Sequence, residues 1–114
     1  MAFQVLLQPQ AEADIAQAYA YLSERSPQAA ARWYRCVKDA IQSLADLPLR
    51  CPVAPEADKL GFPLRQLLYG QQPSIYRIVF RVLEDAQHVH VLTVRHSARK
   101  PLSEDELKPF MDME

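Results

Sequence analysis

The stretch LTVRHSARK (Leu92 to Lys100) runs as an apolar segment and then delivers Arg95, His96, Ser97, Arg99 and Lys100. Further upstream, SIYRIVFRVL sets Arg77 and Arg81 at even spacing, and LRQLLY opens with Arg65. Guanidinium forks recognise phosphates and carboxylates through paired hydrogen bonds, so arginines gathered on one sheet face would take an anionic partner. Arg65, Arg77, Arg81, Arg95, His96 and Arg99 are therefore the candidate target- or partner-binding residues. If any chemistry occurs, Arg77, Arg81 and His96 are its candidates, with His96 as the general acid or base. The plain structural reading is that an open sheet face is normally polar and that its histidine only makes a hydrogen bond.

Other chemistry has little to rest on. His88 and His90 project together from a strand, but no carboxylate or cysteine of matching spacing accompanies them, so no metal site is expected. Ser97 follows His96 directly, and adjacent strand residues point to opposite faces. No nucleophile elbow, P-loop or dinucleotide fingerprint occurs, and with two glycines in the chain no phosphate-cradling loop and no cofactor are expected. Cys36 and Cys51 do not form a C-x-x-C pair and are read as reduced thiols.

The elements that must position these residues follow from periodicity. Phe3, Val5 and Leu7 alternate as a short strand. Pro9 can open a helix, and Ile15, Ala18, Tyr19 and Leu22 form its apolar stripe over about residues 9–24. Ser26 is a natural N-cap with Pro27 behind it, and Ala30, Trp33, Val37, Ala40, Ile41 and Leu44 line one face of a second helix. Trp33, Tyr19 and Tyr34 are read as packing residues. Residues 48–63 hold four prolines and read as an extended connection with no regular element. Strands follow at 64–69, 74–83 and 88–96, the last two joined by a hairpin-length link at Glu84–Gln87. Tyr76, Ile78, Phe80 and Val82 share one face of the middle strand, and Arg77, Val79 and Arg81 the other. The parity of the last strand stays open, because His88-His90-Leu92-Val94-His96 and Val89-Val91-Thr93-Arg95 are both partly apolar. Ser103 with Glu106 forms a capping box for a short C-terminal helix.

The order β-α-α-β-β-β predicts an α+β fold. An antiparallel helical hairpin packs on a small, mainly antiparallel twisted sheet, in a single domain spanning 1–114 with an acidic tail at 103–114. The net charge of −1 hides a strong division. Residues 64–100 carry six basic against two acidic side chains, whereas 101–114 carry one basic against five acidic. A basic sheet region followed by an acidic tail could attract an anionic partner, or the tail could fold back and neutralise it. No stretch approaches the roughly 20 apolar residues of a membrane span, and the start lacks a basic n-region, so a cytoplasmic location with no membrane partner is expected.

Taken together, PQAEADIAQAYAYL, SPQAAARWYRCVKDAIQSLADLP, LRQLLY, YRIVFRV and VHVLTVRHSAR resemble the ParE branch of the ParE/RelE toxin superfamily. These are toxins of bacterial type II toxin–antitoxin modules, often called plasmid stabilisation proteins. The resemblance covers about residues 3–102. It implies a cytoplasmic toxin that arrests growth, is neutralised by a cognate antitoxin and inhibits DNA gyrase, with no nuclease site of its own. The superfamily alternative is a ribosome-dependent mRNA endoribonuclease of RelE type, and a third reading is a non-toxic antitoxin-binding module. Arg77 matches the strand arginine of both branches, and Arg99 the arginine of the terminal H-x-x-R. Against RelE, the strand LRQLLY offers only Arg65 where lysines are expected. Ser97 and Ala98 stand where a further basic residue belongs, and Leu102 or Ser103 where a tyrosine does. An apolar stripe on the helical hairpin would suit an antitoxin segment, a homodimer or a toxin–antitoxin hetero-oligomer.

Overall fold

The computed structural model describes residues 2–59, 63–70 and 74–111. Strand β1 (Gln4–Leu7) leads into α1 (Pro9–Arg25) and α2 (Pro27–Gln42), and β2 (Arg65–Tyr69), β3 (Tyr76–Leu83), β4 (His88–His96) and α3 (Glu104–Met111) follow. The sheet runs in the order β1-β4-β3-β2, antiparallel except for the parallel β1–β4 pair. This is the α+β arrangement expected. The connection read as irregular, 48–63, carries two short 3-10 turns, at Pro48–Arg50 and Pro55–Lys59, and a third at Ser43–Ala45 follows directly on α2.

Local chemistry sets the helix ends. Pro9 and Pro27 lie at first helical positions, where a missing N–H costs nothing. Ser26 serves both helices. Its N–H donates to the Leu22 carbonyl, closing α1, and its Oγ accepts the Ala29 N–H at 3.2 Å, opening α2. Ser26→Ala is expected to lower stability by about 1 kcal/mol, measured by urea denaturation. Gly70, at φ 109°, turns the chain out of β2 where a Cβ would lie 2.4 Å from the Ser74 carbonyl oxygen.

Both faces of the sheet are covered. On one face Ala11, Ile15, Val37, Ile41 and Leu44 of the helical layer pack on Ile78, Phe80, Val89, Val91 and Val94. On the other, Val79 and Leu92 are buried beneath Ala54, Leu64, Leu102 and Leu107. The second layer corrects the expectation of an open arginine face. The proline-rich connection and the C-terminal segment lie across it, because Val79 and Leu92 present apolar surface there that water would otherwise wet.

A β-bulge settles the parity of β4. Val79 pairs with Thr93 and Phe80 with Val91, leaving Leu92 as the extra residue. Val89 and Val91 face the helices before the bulge, and Val94 and His96 after it. Neither alternation read from the sequence therefore runs through the whole strand. β1 pairs along β4 only as far as Val91, and Asp14 of α1 meets the strand edge beyond it. Its Oδ2 accepts the Val94 N–H at 3.1 Å and the Thr93 hydroxyl, while Oδ1 accepts from Gln10 Nε2 at 2.8 Å.

Candidate functional site

The six candidate residues fall into different environments. Arg77 and Arg95 are cross-strand partners on the face away from α1 and α2. Arg77 was expected to face solvent, yet it is 8% exposed. Its Nη1 and Nη2 donate to the two carboxylate oxygens of Glu56 at 2.9 and 2.6 Å, and its Nε donates to Gln66 Oε1 at 2.8 Å. Glu56 is itself 1% exposed, and its Oε2 also accepts the Leu102 N–H at 3.0 Å. Burial works to raise the Glu56 carboxyl, but the hydrogen bonds from Arg77 and Leu102, with the Arg77 charge, outweigh it and hold the group at about 2. One buried carboxylate thus ties the connection, the sheet and the C-terminal segment together.

Arg95 is likewise buried. Its Nη2 donates to the Lys100 carbonyl at 2.9 Å and its Nη1 to Glu106 at 3.3 Å, while its Nε has no hydrogen-bond partner among the described residues. Glu106 in turn accepts the Ser103 N–H and returns the bond from its own N–H to Ser103 Oγ, the capping box read from the sequence. The Ser103 N–H does most to pull the Glu106 carboxyl below its usual range; burial opposes it, and the smaller effect of the Arg95 charge adds to the lowering.

Arg65 and Arg81 do not join this pair. Arg65 lies opposite Phe80 in the β2–β3 register, hence on the helix-facing side, and its Nη1 donates to the carbonyls of Cys51 and Leu49. Arg81 shares the Arg77 face but sits four strand residues away, roughly 13 Å. It is half-buried and registers opposite His90. The His88 and His90 rings stack there at 5.9 Å. Burial, then the charges of His88 and Arg81, push His90 down. Among the described residues no three metal-ligating side chains gather.

His96 lies on the opposite face, edge-on to Tyr76 at 5.2 Å, and Tyr76 packs on Trp33 at 5.3 Å. His96 Nδ1 accepts the Ala98 N–H at 3.0 Å, which leaves the proton of the neutral ring on Nε2. His96 and Arg99 line a depression of about 280 Å³ with Tyr21, Tyr76 and Gln17. The Arg25 guanidinium stands 4.6 Å over the Tyr21 ring. Tyr21 and Arg25 were missed in the sequence, where the signal was an aromatic off the apolar stripe with an arginine four residues on, one helical turn away.

A second concavity of about 460 Å³ is lined by Leu7, Ile15, Ala16, Tyr19 and Tyr34, with Glu12 and Lys38 also on its wall. Tyr19 and Tyr34 meet edge to face at 5.6 Å but stay 39% and 40% exposed, so they form the wall of a groove rather than core. Beside it β1 is an edge strand. Gln4 and Gln8 donate toward β4, so the alternation turns the backbone of Val5 and Leu7 outward. Among the described residues no helix is long and apolar enough to cross a membrane.

This geometry has known counterparts. The fold is shared with a structure from the chromosomal ParDE toxin–antitoxin system of P. aeruginosa, with a TM-score of 0.63 and 16% identity over 83% of this chain and 96% of that one. It is also shared with the toxin–antitoxin complex RelBE2 of Mycobacterium tuberculosis, with a TM-score of 0.55 and 20% identity over 87% and 95% of the two chains. No curated protein matches the sequence. The family model described as "ParE toxin of type II toxin-antitoxin system, parDE" matches residues 5–101, and the chain belongs to that family.

Proposed function

We propose that this chain is the toxin of a type II module, held by a cognate antitoxin at the groove between α1, α2 and β1, and that the free toxin inhibits DNA gyrase rather than cutting mRNA. The family and the two complexes support an antitoxin partner. The groove fits such a segment. It is apolar, it carries one charge of each sign, and it adjoins a strand edge whose outward N–H and C=O groups can pair with an extended chain.

The observation that carries the choice of target is the dispersal of the basic residues. Cleaving a phosphodiester requires a base at the nucleophile and cations at the developing charge, all within about 3 Å of the reacting atoms. Arg77 is committed to Glu56, Arg95 to Lys100 and Glu106, and His96 lies on the other face with its Nδ1 occupied by the Ala98 N–H. Gyrase as the target comes from the resemblance to ParE. His96, Arg99, Tyr21 and Arg25 are the contact surface proposed for it, since exposed tyrosine and arginine commonly anchor protein interfaces.

The test is expression with and without the neighbouring small reading frame, following growth, plasmid supercoiling and transcript integrity. Arrest with altered supercoiling and intact transcripts is expected; cleavage within translated codons overturns the gyrase assignment. Tyr19→Asp is expected to weaken antitoxin binding by about tenfold or more while leaving arrest intact, measured by titration of the purified pair.

A further inference from the structure

The three amides that follow β4 all find acceptors, and two of those acceptors belong to His96. The Ser97 N–H donates to the Ile75 carbonyl at 2.7 Å, and the Arg99 N–H to the His96 carbonyl at 3.1 Å. Between them the Ala98 N–H donates to His96 Nδ1 at 3.0 Å. We propose that His96 is a positioning residue, whose ring nitrogen locks this turn and so sets where Arg99 meets the toxin's target. This rests on the reading of Arg99 as a target contact, and His96 then belongs to that surface through Arg99 rather than by touch.

Arg99 depends on such a lock. It is exposed, and its side chain makes no hydrogen bond or ion pair with the described residues. Its backbone must therefore aim it at the depression it lines with Tyr21, Tyr76 and Gln17. The turn His96-Ser97-Ala98-Arg99 holds neither glycine nor proline, so no residue in it presets the backbone. A single bond from the first carbonyl to the fourth amide is a weak constraint, since many turns of this span lack even that. A side chain that accepts the amide two residues on supplies a second bond, as asparagine and aspartate do in Asx turns. His96 does the same with Nδ1.

The ring is itself held. Tyr76, its cross-strand partner, meets it edge-on at 5.2 Å, and Trp33 of α2 backs Tyr76 at 5.3 Å. A row of three rings thus runs from the packing of α2 on the sheet to the turn that carries Arg99.

Substitution by shape separates the two ring nitrogens. Asparagine puts an acceptor where Nδ1 stands, whereas glutamine reaches only the place of Nε2. In hydrogen exchange on the purified full chain, the Ala98 amide should exchange about tenfold faster in His96→Ala and His96→Gln than in the wild type, and His96→Asn should recover the protection. Expressed without the neighbouring reading frame, the Ala and Gln variants should need about tenfold more toxin for arrest, and Asn should recover to within about threefold. Adding His96→Gln to Arg99→Ala should cost nothing further, because one acts through the other. Retained affinity for the product of the neighbouring frame shows that each variant is folded; if Ala fails to fold, Asn against Gln decides. Glutamine outperforming asparagine, which would make Nε2 a direct contact, overturns the proposal, as do three variants that arrest alike. Loss of arrest in Arg99→Ala beside full arrest in His96→Gln overturns it alone. Full arrest in Arg99→Ala, or none in the wild type, overturns the reading beneath it as well. Cut transcripts strike the gyrase assignment and leave this comparison standing, since arrest is scored whatever its cause.

Discussion

Replacing Glu56 with alanine is expected to be among the most damaging substitutions in this protein, at about 3–5 kcal/mol. Removing that carboxylate leaves the Arg77 guanidinium buried without its counter-charge and the Leu102 N–H without an acceptor. At roughly 4 °C per kcal/mol for a domain of this size, the thermal midpoint should fall by about 12–20 °C, measurable by calorimetry. The loss belongs mainly to the stranded charge. The double variant Glu56→Leu/Arg77→Met is therefore expected to regain most of it, because an apolar pair avoids desolvating two ions. A Glu56→Ala midpoint within 3 °C of the wild type would show that the pair carries no weight. The same carboxylate sets an acid limit. Its folded value of about 2 lies below the ordinary 4.5, so folding favours the ionised form. Its contribution is complete above about pH 4.5, drains as pH falls toward 2 and is gone below. The Glu56→Ala chain should lack that part of the acid transition.

Asp14→Ala is expected to cost about 2–3 kcal/mol by urea denaturation, although Asp14 lies on α1 far from the sheet in sequence. β1 pairs along β4 only as far as Val91, so the Val94 N–H faces an edge that β1 no longer covers, and it and the Thr93 hydroxyl both turn to the Asp14 carboxylate. Thr93 and Val94 are 3% and 4% exposed, so water cannot replace the acceptor. Asp14→Asn retains one oxygen and should recover about half of the loss. Combining Asp14→Ala with Thr93→Val should cost less than the two separately, since the valine removes the orphaned hydroxyl. A loss under about 0.5 kcal/mol in Asp14→Ala would mean that the Val94 N–H and the Thr93 hydroxyl find acceptors elsewhere. Asp14 also lines the depression that holds His96 and Arg99, so the variant should perturb that surface as well.

Much of the architecture was legible in the sequence, for reasons that act over short range. Pro9, Ser26 and Pro27 fix helix ends through backbone chemistry within a turn. The spacing of Ala30, Val37, Ile41 and Leu44 orients α2 because each step of three or four residues returns to the same side. Alternation in YRIVFRV correctly separated Arg77 from Ile78 and Phe80, and the Ser103–Glu106 box marked α3. The family resemblance lay in the order of such segments.

The state of the arginines was decided elsewhere. Strand periodicity says which face a side chain leaves from, but not what lies across that face. Arg77 meets Glu56 from a proline-rich connection 21 residues away in sequence, and no periodicity announces a lone acid in such a stretch. The bulge at Leu92 is equally silent, because LTV fits a regular strand as well as an irregular one. It shows only in the register of β4 against β3, where Val79 meets Thr93 and Phe80 meets Val91. Local sequence determined which elements form and which faces they offer. The path of the whole chain decided which charges stay in water and which are buried in pairs, since desolvation depends on every segment that comes to lie above them.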